Sequence, residues 1–278
     1  MMHIGKVILK GIFNLIDDKT WREKKAVPFF LYCTYAVKLV FYLKLLRKPL
    51  HFEAIPPYKL RFFHYSIFLS LFEDMFLNDE YFVRLPKNPS IIDLGSEIGM
   101  SVCYFKSIYP EAKINAFEPD PESFRLLTDN VKNNNMKKVS LHNLAVANMK
   151  GRTSFFIDPV VDGSLTMSLS SSRQKRKVTV QVGLLSEYIK GPVDLLKIDI
   201  EGAELAVINN LVSSKKLSYI NHMIIEYHHH IDPRINILSQ LLTQLEKAGY
   251  GYQLRAKCTV PFQKQTYQDL LIYAYKEN

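Results

Sequence analysis

Residues 90–99 have the sequence Ser-Ile-Ile-Asp-Leu-Gly-Ser-Glu-Ile-Gly, and they supply the first evidence for the fold. The apolar run of residues 90–94 predicts a strand, which leads into a loop with Gly95 and Gly99. Glycine lets a backbone turn tightly and approach a ligand closely. The spacing of the two glycines is not the G-x-G-x-x-G of dinucleotide enzymes, and the G-K-[ST] of a phosphate-binding loop is absent. The loop therefore favours a neutral or cationic ligand over a pyrophosphate.

Short apolar runs alternate with amphipathic stretches from this loop to the end of the chain. The predicted strands are residues 90–94, 113–118, 139–144, 193–199, 219–227 and 269–275. The predicted helices are residues 101–109, 121–133, 203–211 and 235–248. Such alternation indicates a mostly parallel sheet covered on both faces by helices. Ligands bind outside the carboxyl ends of the strands in such sheets, so the candidate site residues are those that follow each strand.

The first 86 residues have a different composition, rich in aromatic residues and poor in glycine. Their apolar patterns predict helices at 28–46 and at about 60–77. We therefore predict a helical, basic and aromatic N-terminal extension at 1–86 and an α/β domain at 87–278. Most of the net charge of +9 lies between Lys19 and Arg61, where ten Lys or Arg accompany two Asp or Glu. A basic segment of this kind suits an anionic surface such as a phospholipid headgroup, a phosphorylated glycan or nucleic acid.

Three interpretations of this extension remain open. It is a cap that shapes an acceptor pocket, an interfacial anchor on acidic lipids, or a nucleic-acid-binding segment that lacks a known motif. The apolar run 26–43 is too short and too interrupted to predict a membrane span, and no secretory signal is evident. The three cysteines have no metal-binding spacing. We expect a cytoplasmic protein, with peripheral membrane contact through residues 19–61 as an alternative.

Polar residues follow the second and third predicted strands. Glu118 lies 23 residues after Gly95. An acidic residue at that position accepts hydrogen bonds from the hydroxyls of an adenosine ribose. Asn143 and Ala145 lie at the end of the third strand, where they are candidates for contact with the adenine edge. The alternative is structural: ordinary turns between strands and helices, and a solvated carboxylate at Glu118.

The fourth predicted strand leads into residues 197–204, Lys-Ile-Asp-Ile-Glu-Gly-Ala-Glu. This octapeptide resembles the hallmark of the FkbM family of methyltransferases, as do residues 92–99 and 117–119, and the resemblance covers about residues 71–226. It implies a Rossmann-like, doubly wound, mostly parallel seven-stranded sheet. It also implies S-adenosylmethionine as methyl donor and O-methylation of a hydroxyl, often on a sugar. The family commonly has Asn where Glu97 stands, so the chain departs from the family pattern at this position.

The resemblance also carries residue roles. Gly95 and Gly99 pass under the methionine part of the cofactor, Glu118 holds the ribose, and Asn143 and Ala145 lie near the adenine. The cofactor-binding residues predicted in this way are Asp93, Gly95, Ser96, Glu97, Gly99, Glu118, Pro119, Asn143 and Ala145.

Methyl transfer to a hydroxyl requires that the acceptor oxygen be positioned and its proton removed. Asp199 at the end of the fourth strand is one candidate base. Glu226 and His228 at the end of the fifth strand are others, and strand alternation places these two on one face. A histidine titrates near neutrality, so we predict Asp199, His228 and Glu226 as the catalytic residues.

Less active roles are also open for these residues. Asp199 is equally suited to an orienting hydrogen bond, and Lys197, Glu201 and Glu204 to a local charge network. A divalent cation held by Asp199, Glu226 and His228 is a further alternative, but no metal site is predicted.

The sequence thus predicts an S-adenosylmethionine-dependent O-methyltransferase that acts on a saccharide, a glycolipid or a glycosylated natural product. The alternatives are a non-catalytic S-adenosylmethionine-binding scaffold subunit and a nucleic-acid methyltransferase. The expected partner is a small-molecule or glycan acceptor rather than nucleic acid, and the oligomeric state is not predicted. The serine-rich insertion at 157–176 is interpreted as a lid or as a solvated loop.

Overall fold

The computed structural model describes residues 2–157, 176–230, 236–256 and 267–276. The chain divides into two compact units, residues 1–83 and 84–278. The elements of the first unit are α1 (Met2–Asp17), α2 (Lys19–Lys38), a π-helical segment (Leu39–Leu45), β1 (Phe52–Ile55), β2 (Tyr58–Arg61), α3 (Tyr65–Phe72) and a second π-helical segment (Glu73–Leu77).

The first unit is not helical throughout, so the predicted helix at 60–77 is wrong at its start. β1 and β2 form an antiparallel hairpin in which Glu53 pairs with Leu60. Pro56 and Pro57 form the turn, because neither has an N–H to donate to a helix or a sheet. Helix α3 therefore begins only after the hairpin, at Tyr65.

Aromatic side chains form the interior of this unit. Tyr35 packs edge-on against Phe68 and Phe72, with ring centroids 5.3 and 5.1 Å apart. Other apolar side chains, such as those of Phe13 and Val37, are exposed. Within the described ranges, no helix is both long and apolar enough to cross a membrane. Membrane contact through residues 19–61 stays a prediction.

The second unit contains the remaining strands and helices. Its strands are β3 (Ser90–Leu94), β4 (Lys113–Phe117), β5 (Val139–His142), β6 (Ala145–Ala147), β7 (Gly151–Ile157), β8 (Arg176–Leu184), β9 (Val193–Ile198), β10 (Ile220–His229), β11 (Tyr250–Ala256) and β12 (Gln268–Lys276). Its helices are α4 (Met100–Ile108), α5 (Pro121–Asn133), α6 (Glu204–Ser213) and α7 (Leu238–Lys247), with short 3-10 turns at Leu185–Glu187 and Leu217–Tyr219.

Seven of these strands form one sheet in the order β11-β12-β10-β9-β3-β4-β5. Every neighbouring pair from β10 to β5 is parallel, and β12 is antiparallel to both of its neighbours. The prediction of a mostly parallel seven-stranded α/β fold is confirmed, although β11 was not among the predicted strands. A small sheet of β6, β8 and β7 was not predicted either. The insertion predicted at 157–176 lies, apart from its two end residues, outside the described residues.

The register of the central strands brings their carboxyl ends to one edge. Leu94 of β3 pairs with Phe117 of β4 and with Ile198 of β9, so these strands end level with each other. Ile225 of β10 also pairs with Ile198, and β10 then continues to His229. The segments that follow the three central strands therefore meet each other and the last residues of β10.

Gly95 lies very close to the backbone of Asp199, and Gly249 is a matched control for testing this contact. Their φ angles are +77° and +79°, but a Cβ at Gly95 would lie 1.8 Å from the Asp199 carbonyl oxygen, whereas nothing lies within 4 Å of one at Gly249. We expect Gly249→Ala to lower the free energy of unfolding by about 1–2 kcal/mol through backbone strain alone. Gly95→Ala should cost about 1–2 kcal/mol more, because the Asp199 backbone has to move. Urea unfolding measures both, and equal losses would contradict the close approach.

Candidate functional site

The loop after β3 is held by backbone hydrogen bonds. The N–H groups of Gly95 and Ser96 both donate to the Phe117 carbonyl over 3.0 Å, and the Gly99 N–H donates to the Ser96 carbonyl over 2.7 Å. Glu97 and Gly99 adopt left-handed conformations, with φ of 44° and 92°. Glycine adopts such angles readily, but a glutamate does so at a cost that often marks a functional site. The loop is therefore a fixed, curled backbone at the start of α4.

Buried charges lie beneath this loop. Lys197 donates to the Gly95 carbonyl over 2.7 Å, and its ammonium lies 3.4 Å from Asp93 and 3.1 Å from Asp199. Ser101 donates to the other oxygen of Asp93 over 2.6 Å. Burial alone would lower the pKa of Lys197, but Asp199 and Asp93 outweigh it and raise the pKa above its ordinary value. Asp93, predicted to bind the cofactor, thus supports the loop from below.

Glu118 lies at the end of β4, next to this loop. Its two carboxylate oxygens accept hydrogen bonds from the backbone N–H groups of Glu97 and Asp120, over 2.9 and 2.8 Å. Burial raises the pKa of Glu118 to about 8, even though these two N–H donors lower it. Glu118 and Glu97, both predicted to bind the cofactor, are thus joined by a hydrogen bond at the loop.

Asn143 and Ala145 are placed differently from each other. The Asn143 amide donates hydrogen bonds to the carbonyls of Glu118 and Pro119, over 2.8 and 3.0 Å, and so fixes the backbone that follows β4. Ala145 is buried in β6, where it pairs with Val182 in the small sheet. Contact of either residue with adenine stays a prediction.

The raised pKa of Glu118 gives a testable pH dependence. Because its pKa of about 8 in the folded protein exceeds its ordinary value of 4.5, its contribution to stability is complete below pH 4.5 and is lost as the pH rises towards 8. The charge of Asp120 also raises the pKa of Glu118, and the charge of Lys197 lowers it. We expect the free energy of unfolding to fall between pH 5.5 and 8.5, and Glu118→Gln to make that fall shallower. Denaturant titrations at several pH values measure it, and identical slopes would refute the assignment.

Glu97 makes the space above the loop acidic. Burial, the carboxylate of Asp199 and the carboxylate of Glu118 together raise the pKa of Glu97 well above its ordinary value. Each of these groups would be stabilised by a positively charged ligand. The carboxyl groups of Glu97, Glu118 and Asp199 around the loop therefore suit a cation.

A second group of side chains lies where β9 and β10 end. Asp199, Glu226 and His228 each offer one oxygen or nitrogen atom, and these atoms all lie within 4.8 Å of one another. Asp199 is 23% exposed, whereas His228 is 3% exposed. Burial and the neighbouring Asp199 raise the pKa of Glu226 to about 8. The three predicted catalytic residues are thus close together, with Asp199 also against Gly95 of the loop.

Glu204, the first residue of α6, orients His228. Its Oε1 accepts the Gly202 N–H over 2.9 Å and lies 2.9 Å from His228 Nδ1. The other ring nitrogen, Nε2, lies 3.6 Å from Glu201 and 3.7 Å from Asp199. Burial alone would lower the pKa of His228, but the hydrogen bond to Glu204 and the charge of Glu201 outweigh it and raise the pKa well above its ordinary value.

Two residues of the charge network that the sequence left as an alternative, Lys197 and Glu204, form ion pairs with predicted catalytic residues. Lys197 pairs with Asp199, and Glu204 pairs with His228 across 24 positions of sequence. Ser101 was missed, as was Asn130, whose amide donates to the Ile98 carbonyl over 2.8 Å. A buried polar residue inside an apolar helix face was the signal that could have found these two.

A sequence model described as the methyltransferase FkbM domain matches residues 93–252, more than half of the chain. The chain belongs to the FkbM methyltransferase family. The match includes the loop after β3, Glu118 and the group at the ends of β9 and β10. As an FkbM-family protein, the chain is a methyltransferase whose methyl donor is S-adenosylmethionine.

Individual relatives are distant. Methyltransferase 1 of Beauveria bassiana is 26% identical, over 60% of this chain and 73% of the relative. The hexuronic acid methyltransferase AglP of Haloferax volcanii is 28% identical, over 51% of this chain and 57% of the relative. The crystal structure of methyltransferase FkbM from Methylobacillus flagellatus KT is 13% identical with a TM-score of 0.48, and the match covers 76% of this chain and 54% of that chain.

Proposed function

We propose that this FkbM-family protein is an S-adenosylmethionine-dependent O-methyltransferase that acts on a hydroxyl of a saccharide, a glycolipid or a glycosylated natural product. The observation that carries the proposal is the position of Asp199. Its backbone touches Gly95 of the loop, and its carboxylate faces Glu226 and His228. The carboxylate of a candidate proton acceptor next to the loop supports methyl transfer to a hydroxyl.

The residues around the loop fit this cofactor. When bound, S-adenosylmethionine would supply a methyl group on a positively charged sulfur, which a hydroxyl oxygen can displace with S-adenosylhomocysteine as the leaving group. Glu97 and Glu118 have pKa values raised by burial and by neighbouring carboxylates, so a cationic ligand stabilises their charged forms. Glu118 is also the acidic residue at the end of the second parallel strand, where ribose hydroxyls are bound in related folds.

The side chains beyond the loop fit the need to position the acceptor hydroxyl and remove its proton. The Asp199 side chain is 23% exposed and that of His228 is 3% exposed, which supports Asp199 as the residue that holds a hydroxyl and accepts its proton. Lys197 fixes Asp199 Oδ2 at 3.1 Å and leaves Oδ1 on the side of His228. Glu226 and His228 complete a set of hydrogen-bonding partners suited to a sugar with several hydroxyls.

The chemistry of the site supports a sugar over a nucleic acid. Asp199, Glu201, Glu204 and Glu226 line the region around His228, and carboxylates repel phosphate groups. The relative from Haloferax volcanii is named as a hexuronic acid methyltransferase, which supports a saccharide acceptor.

Cofactor binding is tested first, by calorimetric titration with S-adenosylhomocysteine. We expect micromolar binding that Glu118→Ala weakens at least tenfold, or about 1.4 kcal/mol. A folded wild-type protein that binds nothing at millimolar ligand would refute the cofactor site.

Acceptor chemistry is tested by transfer of a labelled methyl group to a panel of uronic acid glycosides, neutral glycosides and transfer RNA. We expect label in a glycoside as a methyl ether, identified by mass and by resistance to base. Label in the RNA would instead support the nucleic-acid alternative. Cofactor binding without transfer to any acceptor would support the scaffold alternative.

A further inference from the structure

We propose that Asp199, Glu226 and His228 bind a divalent cation. The site is part of the proposed acceptor site, and the inference about its use rests on the proposed function. The binding itself is a separate property of the protein. One oxygen or nitrogen from each of the three residues lies within 4.8 Å of the others. Carboxylate oxygen and imidazole nitrogen are the ligands that Mn²⁺ and related cations take in proteins.

His228 supplies the second observation, independent of the carboxylates. Its side chain is 3% exposed, and Nδ1 is engaged by Glu204 at 2.9 Å. Among the described residues, no partner lies within hydrogen-bonding distance of Nε2, which faces Asp199 at 3.7 Å and Glu201 at 3.6 Å. This ring nitrogen of a buried side chain therefore faces two carboxylates at distances longer than a hydrogen bond.

These separations fit a shared cation. Metal bonds of about 2.1 Å to nitrogen and oxygen place two ligand atoms about 3.0–3.4 Å apart, depending on the geometry. The distance of 3.7 Å from Nε2 to Asp199 Oδ1 requires only a small side-chain movement to reach that range. The spacing is thus longer than a hydrogen bond and close to that of two ligands on one ion.

The surrounding residues orient the ligands as they do in known metal sites. A metal-bound histidine almost always donates its other ring N–H to a carboxylate, which is the role of Glu204 here. Glu204 is itself fixed by the Gly202 N–H. Lys197 occupies Oδ2 of Asp199, so Oδ1 is the oxygen left for the ion.

Charge favours the same conclusion. Four carboxylates, those of Asp199, Glu201, Glu204 and Glu226, surround His228, and Lys197 is the lysine that contacts this group. A divalent cation would stabilise the ionised forms of these carboxyl groups. It would also bind the acceptor hydroxyl and lower its pKa. The proton would then pass to Asp199, its proposed acceptor, and on to water at the exposed part of that side chain.

The test uses Mn²⁺ alone, added to metal-free full-length protein without cofactor, with the loss of the free-ion electron paramagnetic resonance signal as readout. We expect one Mn²⁺ per chain, and at least tenfold weaker binding in His228→Gln and in Glu226→Gln. His222→Gln is the matched control, because His222 lies on the same strand and binds the Asp194 carbonyl at 3.1 Å. Its Mn²⁺ affinity should equal that of the wild type.

Two results would overturn the proposal. One is a folded wild-type protein that leaves the free Mn²⁺ signal unchanged at millimolar concentrations. The other is unchanged binding in the folded His228 and Glu226 variants, which would place the ion elsewhere.

A measurement on the wild type covers the case in which the variants do not fold. Pulsed measurements on the bound ion should detect coupling to a histidine nitrogen, and absence of that coupling would also overturn the proposal. S-adenosylhomocysteine binding is measured separately. A protein that binds this ligand but not Mn²⁺ would contradict the metal site alone and leave the proposed function standing.

Discussion

Replacing Lys197 by methionine is expected to lower the free energy of unfolding by about 3–5 kcal/mol. Lys197 is 2% exposed and Asp93 is fully buried, so the substitution leaves a carboxylate without its positive partner in the interior. The carbonyl oxygens of Leu94 and Gly95 lose a donor at the same time. The loop after β3 should become mobile, and S-adenosylhomocysteine binding should weaken with it.

Lys106→Met is the matched control for this prediction. Lys106 is also only 2% exposed, and it donates to the carbonyls of Pro110 and Ala112, over 3.2 and 2.6 Å. Loss of a donor to neutral carbonyls costs about 1–3 kcal/mol. Urea unfolding at pH 7 compares the two variants, and equal losses would mean that the ion pairs of Lys197 contribute little.

Asp199→Asn is expected to lower kcat by about 10²–10⁴-fold, the usual contribution of a positioned proton acceptor. The amide keeps the shape of the side chain but neither accepts a proton nor neutralises the charge of Lys197. Because Asp199 is placed beyond the loop, S-adenosylhomocysteine affinity should change much less than kcat. Single-turnover methyl transfer together with calorimetry separates the two effects.

Asp194→Asn serves as the control for Asp199. Asp194 lies near the beginning of the same strand and accepts the Ser90 N–H over 2.8 Å, at the opposite edge of the sheet. Some loss of stability with an unchanged kcat is expected there. If Asp199→Asn retains full activity, the proton acceptor lies elsewhere and the proposed role of Asp199 is wrong.

The central part of the fold was predictable because its signals are local. The strands before Gly95 and Asp199 are mostly apolar runs that end in turn residues, as strands buried on both faces do. β11 lacks that signal: after Tyr250 its residues are partly or fully exposed, and it is held by pairing with β12. Pairing of this kind depends on backbone hydrogen bonds that the composition does not encode.

The candidate site was predictable only in part for a related reason. Strand ends located Glu118, Asp199 and Glu226, because each follows an apolar run. The pairing of Glu204 with His228 depends on how β10 lies beside β9 and where α6 begins, which is tertiary information. The sequence could name Glu204 as part of a charge network, but it could not name its partner.

The pairing of β7 with β8 has a consequence for how this chain tolerates change. Ile157 at the end of β7 pairs with Arg176 at the start of β8, so the two ends of the intervening segment are anchored side by side. Closing a longer connection between anchored ends costs free energy that grows only with the logarithm of its length. This junction is therefore where inserted sequence, including a fused reporter domain, should disturb the seven-stranded sheet least.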